Sequence, residues 1–317
     1  MRPLPLLAVP VTAVLLAGCA ATAAAPAPAG PLTLSNCGFE VAFDAAPERV
    51  VTIKSTATEM LLALGLGDRI VGTAFPDGPV PDEWAAEAAD IPVLADKLPS
   101  EEVVLDAEPD LVFAGWESAF TPDAAGARDE LAALGVASYV QPAACQSAEQ
   151  PAKLDFPEVF REIEEVAQIF DVDASPLLDA QRDALEAIEP LDGQLTAFWW
   201  SSGTDTPYVG AGIGAPQLLL ETAGLTNIAG DIPMTWSPYG WESVLEADPD
   251  ILVLVDASWN SAQKKIDYLR SNPATRHLSA VVNERWVVLP FASTEAGVRS
   301  VDAAASLVAQ VRELGLP

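Results

Sequence analysis

Histidine occurs once in the 317 residues, at His277, and that scarcity closes several routes. A zinc centre built from several histidines is out of reach, and Ser-His-Asp catalysis would depend on this one imidazole. His277 stands in Asn272-Pro273-Ala274-Thr275-Arg276-His277-Leu278, which reads as a bland surface helix near a turn. No Gly-x-Ser-x-Gly stretch offers a nucleophile elbow, and the His/Cys/carboxylate cluster that bare metal needs is absent. Positive charge is scarce too: 16 Lys and Arg stand against 46 Asp and Glu, a net charge of −30. Such a surface repels phosphate backbones and anionic headgroups, so no nucleic acid is expected as a partner. The apolar run from Leu4 to Leu16 is short and punctuated by Pro3, Pro5 and Pro10, a poor bilayer span. Half of the residues are hydrophobic, so the chain has ample material for a sizeable core.

What is present begins with that run. Arg2, the apolar stretch and then Leu16-Ala17-Gly18-Cys19 have the layout of an export signal closed by a lipobox. The expectation is a signal over residues 1–18, acylation at Cys19 and a location on the outer face of the cell membrane, anchored by lipid. An ordinary signal peptide followed by a chance cysteine is the plainer alternative. Residues 19–33, rich in Ala and Pro, read as a tether. Of three cysteines, Cys37 and Cys145 remain for the fold. In an oxidising exterior they suit a disulfide, with two separate buried thiols as the other possibility.

From residue 34 the chain alternates short β-rich runs with helical ones. Arg49–Ile53, Asp68–Gly72, Leu111–Ala114 and Ala137–Val140 read as strands. Helices are expected over Ser55–Leu64, with Ser55 as N-cap and Gly65 after its end, and over Asp123–Leu134. The pattern restarts near residue 190. Strands are expected at Leu195–Trp200, Ile251–Val255 and Arg285–Leu289, and helices at Pro216–Ala223 and Val298–Leu314. Between the halves, Phe156–Phe170 and Ser175–Ile188 read as amphipathic helices. The fold class is therefore α/β: two Rossmann-like βα lobes, 34–172 and 191–317, bridged by a helical segment at 173–190.

An internal echo supports two lobes. Glu102-Val103-Val104-Leu105-Asp106-Ala107-Glu108-Pro109-Asp110-Leu111 matches Glu242-Ser243-Val244-Leu245-Glu246-Ala247-Asp248-Pro249-Asp250-Ile251. Each half reads as a helix stopped by proline, a turn satisfied by aspartate, and a buried strand. Two similar lobes leave a cleft between them, where ligands bind open α/β sheets.

Pro47-Glu48-Arg49-Val50-Val51, Thr58-Glu59-Met60-Leu61-Leu62-Ala63-Leu64-Gly65 and the two Pro-Asp segments resemble the ABC-importer substrate-binding lipoproteins that carry siderophores, haem and cobalamin. The resemblance spans nearly all of residues 37–317. It implies two lobes braced by one rigid helix and opening only slightly. It also implies a small organic ligand, an ABC permease dimer with its ATPase as partner, a monomer, no cofactor and no enzymatic activity. Glu102 and Glu242 match the glutamates that such proteins present to permease arginines, one on each lobe. A narrower likeness rests on Val51–Thr56, Gly72–Phe75, Ala114–Ser118, Pro207–Pro216 and Thr294–Arg299. It points to an actinobacterial branch proposed to import the deazaflavin phosphate precursor of coenzyme F-420.

The cleft should be lined from strand ends. Lys54, Ser55 and Thr56 at a helix start offer an anion seat, and Phe75, Trp116 and Glu117 follow strands of the first half. In the second half Trp200, Tyr208, Trp236, Tyr239 and Trp259 are the aromatic candidates. Alternation places one of Trp199 and Trp200 in the core, and Trp200, nearer the strand end, is assigned to the cleft. Gly210, Gly212 and Gly214 resemble a phosphate loop only weakly. Lys54 and Arg299 are the cations best placed to meet a ligand phosphate or carboxylate. Solute delivery to a permease is the leading function. A lipid-anchored hydrolase lacks its motifs, and a surface sensor with the same fold stands as a third reading.

Overall fold

The computed structural model describes residues 31–146, 153–192 and 194–316. Cys19, the expected signal and most of the tether lie outside them. Among the described residues no helix is long and apolar enough to cross a membrane, and no cluster of three or more His, Cys, Asp or Glu could hold a metal ion.

A hairpin of β1 (Leu32–Asn36) and β2 (Phe39–Phe43) opens the fold. Its first strand starts inside the span expected as tether, because Leu32 and Leu34 alternate with polar residues and pack on the core. The first lobe then runs β3 (Val50–Ile53), α1 (Ser55–Ala63), β4 (Ile70–Ala74), α2 (Ala85–Ala88), β5 (Val93–Ala95), α3 (Glu101–Leu105), β6 (Leu111–Ala114), α4 (Arg128–Ala133) and β7 (Ala137–Val140). Its sheet is parallel throughout, in the order β5-β4-β3-β6-β7. β3 and β6 are buried at every position, which is why they read as unbroken apolar runs. Cys37, in the hairpin turn, forms a disulfide with Cys145 beyond β7. The helix expected over 123–134 is shorter than the pattern suggested. Gly126 takes φ +102°, so the chain turns through 121–126 and the helix starts at Arg128.

Two helices lie between the sheets in sequence, α5 (Phe156–Ile169) and α6 (Ser175–Glu186). Asp155 caps α5 by accepting from Glu158 N–H at 2.8 Å, and Pro157 and Pro176 sit in the first turns, where the missing N–H costs nothing. The second lobe contains β8 (Thr196–Ser202), β9 (Tyr208–Gly210), α7 (Ala215–Thr222), β10 (Thr226–Asn227), β11 (Trp236–Pro238), α8 (Trp241–Ala247), β12 (Ile251–Asp256), α9 (Ala262–Ser271), α10 (Ser279–Val282), β13 (Trp286–Pro290) and α11 (Ser300–Glu313). Its sheet is ordered β11-β9-β8-β12-β13, with β9 and β11 antiparallel and β10 also pairing with β8.

One core cluster joins the lobes. It contains Val50 and Phe113 from the first sheet, Val159 and Ile163 of α5, Leu178 of α6, Trp199 and Val253 from the second sheet, and Leu307 of α11. Each such fully buried aliphatic side chain contributes about 1.5–3 kcal/mol, so the lobes share much of their stability.

Candidate functional site between the lobes

In the first sheet the strand order reverses between β3 and β6, and such a switch point leaves a crevice beyond the carboxyl ends of the strands. Lys54 follows β3, Phe75 follows β4, and Gly115 and Trp116 follow β6. Gly115 lets β6 approach α1, since a Cβ there would lie 2.3 Å from Thr56 Oγ1. Opposite them stand Ser201 and Ser202 at the end of β8, Trp259 beyond β12 and Phe291 beyond β13. The space enclosed is a chamber of about 280 Å³. Trp116, Trp236, Trp259, Tyr208 and Phe291 supply its aromatic walls, and Glu117 and Glu295 its ionisable lining.

Lys54 does not face this chamber as a free cation. It is 1% exposed, and its Nζ pairs with Asp77 and lies 3.9 Å from the ring centre of Trp116 and 4.0 Å from that of Phe75. Burial lowers its pKa, against the opposing pull of Asp77. Lys54 and Phe75 both hold left-handed backbone, φ +79° and +52°, an unusual conformation for residues with side chains. The expected anion seat at the start of α1 is filled by the protein itself. Asp77 Oδ2 accepts from Ser55 N–H at 3.3 Å, and Ser55 Oγ accepts from Asp77 N–H at 2.9 Å. Ser55 is thus not the N-cap; that position is Lys54, whose side chain makes no cap hydrogen bond. Phe75 packs edge-on against Trp116, ring centres 5.7 Å apart, and supports the wall from behind.

Asp77 also reaches the other lobe. Its carbonyl accepts from Ser258 N–H at 2.9 Å, and its Oδ1 accepts from Trp259 Nε1–H at 3.3 Å. Beside this contact lies a second chamber of about 510 Å³, bordered by Ser55, Asp82, Asp256, Ser261 and Arg299. Arg299 therefore lines the second chamber and not the aromatic one, and its guanidinium donates to Glu59 Oε1 at 3.3 Å. Burial raises the Glu59 pKa to about 7, with Arg299 pulling the other way. Glu295 is likewise raised to about 7 by burial, opposed by Lys54 and by a hydrogen bond from the Trp116 indole.

Two expected cleft aromatics lie elsewhere. Trp200 is 1% exposed and sits in the outer layer of the second lobe, 5.1 Å from Trp241 and 5.7 Å from Tyr268, its indole N–H donating to Ser202 and Gly203 carbonyls. Tyr239 packs on Phe198 in that layer and donates to the Ile228 carbonyl at 3.2 Å. Alternation along a strand separates the two faces of a sheet, and here both faces are covered; the cleft lies off the strand ends. The glycine-rich loop is close packing as well, for a Cβ at Gly212 would lie 2.1 Å from the Gly230 carbonyl oxygen. Glu102 and Glu242 each occupy the second position of their helix, and both are exposed. His277 sits in a short 3-10 turn, also exposed. Sequence reasoning missed Asp77. Its signal was Phe75-Pro76-Asp77-Gly78, a turn directly after a strand.

Residues 50–292 match the family model described as periplasmic binding protein. The chain belongs to that family. Its place is extracytoplasmic, and its role is to bind a solute. A periplasmic binding protein of Veillonella parvula is 26% identical, with a TM-score of 0.77 over 89% of this chain and 98% of that one. The structure titled ABC-type Fe3+-hydroxamate transport system of Saccharomonospora viridis is 29% identical, with a TM-score of 0.75 over 90% of this chain and 99% of the other. The periplasmic heme-binding protein RhuT of Roseiflexus sp. RS-1, in apo form, shares the fold at 21% identity and a TM-score of 0.60, covering 85% and 99%. No curated protein matches the chain.

Proposed function

We propose that this binding protein captures a compact organic solute in the aromatic chamber and delivers it to an ABC permease and its ATPase. A ferric hydroxamate chelate is the ligand class that the site suits best. The observation that carries this reading is the chamber's lining: aromatic walls with Glu117 and Glu295, and no Lys or Arg among the described residues that border it. Such a site favours a neutral or positively charged guest and repels an anion. The structure titled ABC-type Fe3+-hydroxamate transport system of Saccharomonospora viridis, 29% identical to this chain, supports the same class. A deazaflavin phosphate, or a haem with its propionates, would want cations, and Lys54 and Arg299 are already paired with Asp77 and Glu59.

The exposed Glu102 and Glu242 are the docking carboxylates in this reading, one per lobe, and Cys19 is the acylated residue that holds the protein as a monomer at the membrane. Residues 173–190 act as the brace between lobes 34–172 and 191–317.

Tryptophan fluorescence of the purified protein tests the ligand. A ferric trihydroxamate should quench at micromolar concentration, haem, corrinoid and deazaflavin phosphate much less, and Trp116→Ala should weaken the chelate about tenfold. Quenching by deazaflavin phosphate but not by the chelate would sink the assignment. Docking is tested by Glu102→Arg combined with Glu242→Arg: uptake should be lost while chelate binding is intact. Unchanged uptake would favour a sensor instead.

A further inference from the structure

Off the aromatic chamber runs a narrow slot of about 10 Å³, room for one water-sized group. It shares Thr235, Trp236 and Glu295 with the chamber and is closed behind by Thr56, Gly115 and Gln141. Gln141 is 2% exposed. Its Nε2 donates to Glu162 Oε2 at 2.8 Å, a residue outside the slot, and its Oε1 has no hydrogen-bond partner. A buried acceptor left unpaired is rare in folded proteins and calls for a donor. Glu295, which also lines the slot, adds a second acceptor. The lining of the slot therefore includes two acceptors, one of them a carboxyl group. The complement is a small group with several N–H donors and a positive charge.

We propose that this slot receives a protonated primary amine of the ligand, with Gln141 Oε1 and Glu295 accepting its N–H groups beside the Trp236 ring. The same protein already shows that this chemistry holds an ammonium: Lys54 Nζ rests against Trp116 and Phe75 with Asp77 as its carboxylate. The proposal deepens the reading of the chamber as the ligand site, and it narrows the guest from neutral or positive to amine-bearing.

The test compares benzylammonium with benzyl alcohol, titrated into the purified protein by tryptophan fluorescence and calorimetry. The ammonium should bind at least about tenfold more tightly, the scale of a charge-assisted hydrogen bond in a dry site. Glu295→Gln, close in shape, should cut that preference below about threefold, and Gln141→Met should reduce it too; if Gln141→Met does not fold, Glu295→Gln carries the test. Equal binding of the two probes, or a preference untouched by Glu295→Gln, overturns the proposal. A linear ferric trihydroxamate ending in a free amine and its N-acetylated form separate the two readings. If neither chelate binds but the benzylammonium preference holds, the iron-chelate assignment fails and the amine slot stands. If both chelates bind alike and the benzyl probes do not differ, the slot fails and the chelate assignment stands.

Discussion

The two lobes begin their central strands in the same way and end them differently. In the first lobe Glu108 has φ +48° ahead of Pro109, and Asp110 accepts from the N–H groups of Glu48 (2.8 Å) and Arg49 (3.0 Å) at the mouth of β3. In the second, Asp248 has φ +40° ahead of Pro249, and Asp250 accepts from Thr196 N–H and Oγ1–H, both at 2.8 Å, at the mouth of β8. The repeated Pro-Asp is thus one device used twice: the proline stops a helix and the carboxylate fixes where the next strand enters the sheet. At the carboxyl ends the likeness thins to a tryptophan after a buried strand in each lobe, Trp116 and Trp259. The first lobe supplies the buried Lys54–Asp77 pair and the second supplies serines, Trp259 and Phe291. The first is stapled by a disulfide, while the second covers its outer face with Trp200, Trp241 and Tyr268. A shared frame positions the lobes, and the loops that do not repeat make the site.

The staple gives the largest expected asymmetry. Replacing Cys37 and Cys145 by serine opens a closure of 108 residues and should cost about 2–4 kcal/mol. Hydrogen exchange should then rise more over 34–146 than over 196–316; an even rise would mean that the common core, not the lobe, is the unfolding unit. Next in size is a pH effect. Burial raises Glu59 and Glu295 to about 7 and Glu162 to about 8, so the folded chain holds protons that the unfolded chain, with carboxyls near 4.5, has released. Stability should therefore fall as pH rises from about 4.5 to 8, most of all through Glu162, the group with the largest shift. Thermal melts should be higher at pH 5 than at pH 8, and Glu162→Gln should flatten the slope; a rising slope would contradict the burial of these carboxyls. The smallest effect tests the repeated device itself. Asp110→Ala and Asp250→Ala should each cost about 1–2 kcal/mol, within error of one another in chemical denaturation. A gap above about 1 kcal/mol would show that the echo is only one of sequence.

Much of the frame was legible in the sequence because it rests on local signals. The apolar runs of β3, β6 and β12, the helix-stopping Gly65, Gly224 and Pro109, and the echo itself all lie within a few residues. The antiparallel pair β9/β11 was not legible, since its strands are three residues each and 25 residues lie between them. In the site, Trp116 and Trp259 could be placed because each follows a buried strand. Lys54 could not be read correctly, because its partner Asp77 lies 23 residues away and nothing local announces the pair. Trp200 misled for a different reason: alternation says which face of a sheet a side chain takes, not whether a helix covers that face.

The box around Lys54 has a chemical consequence. The Lys54 amine is shut behind indole and phenyl rings and tied to Asp77, a residue that also touches the opposite lobe. Acylating reagents would pass it by for as long as the halves stay together and would mark it once they part. The protein thus carries, at its centre, a clock for its own opening that mass spectrometry can read.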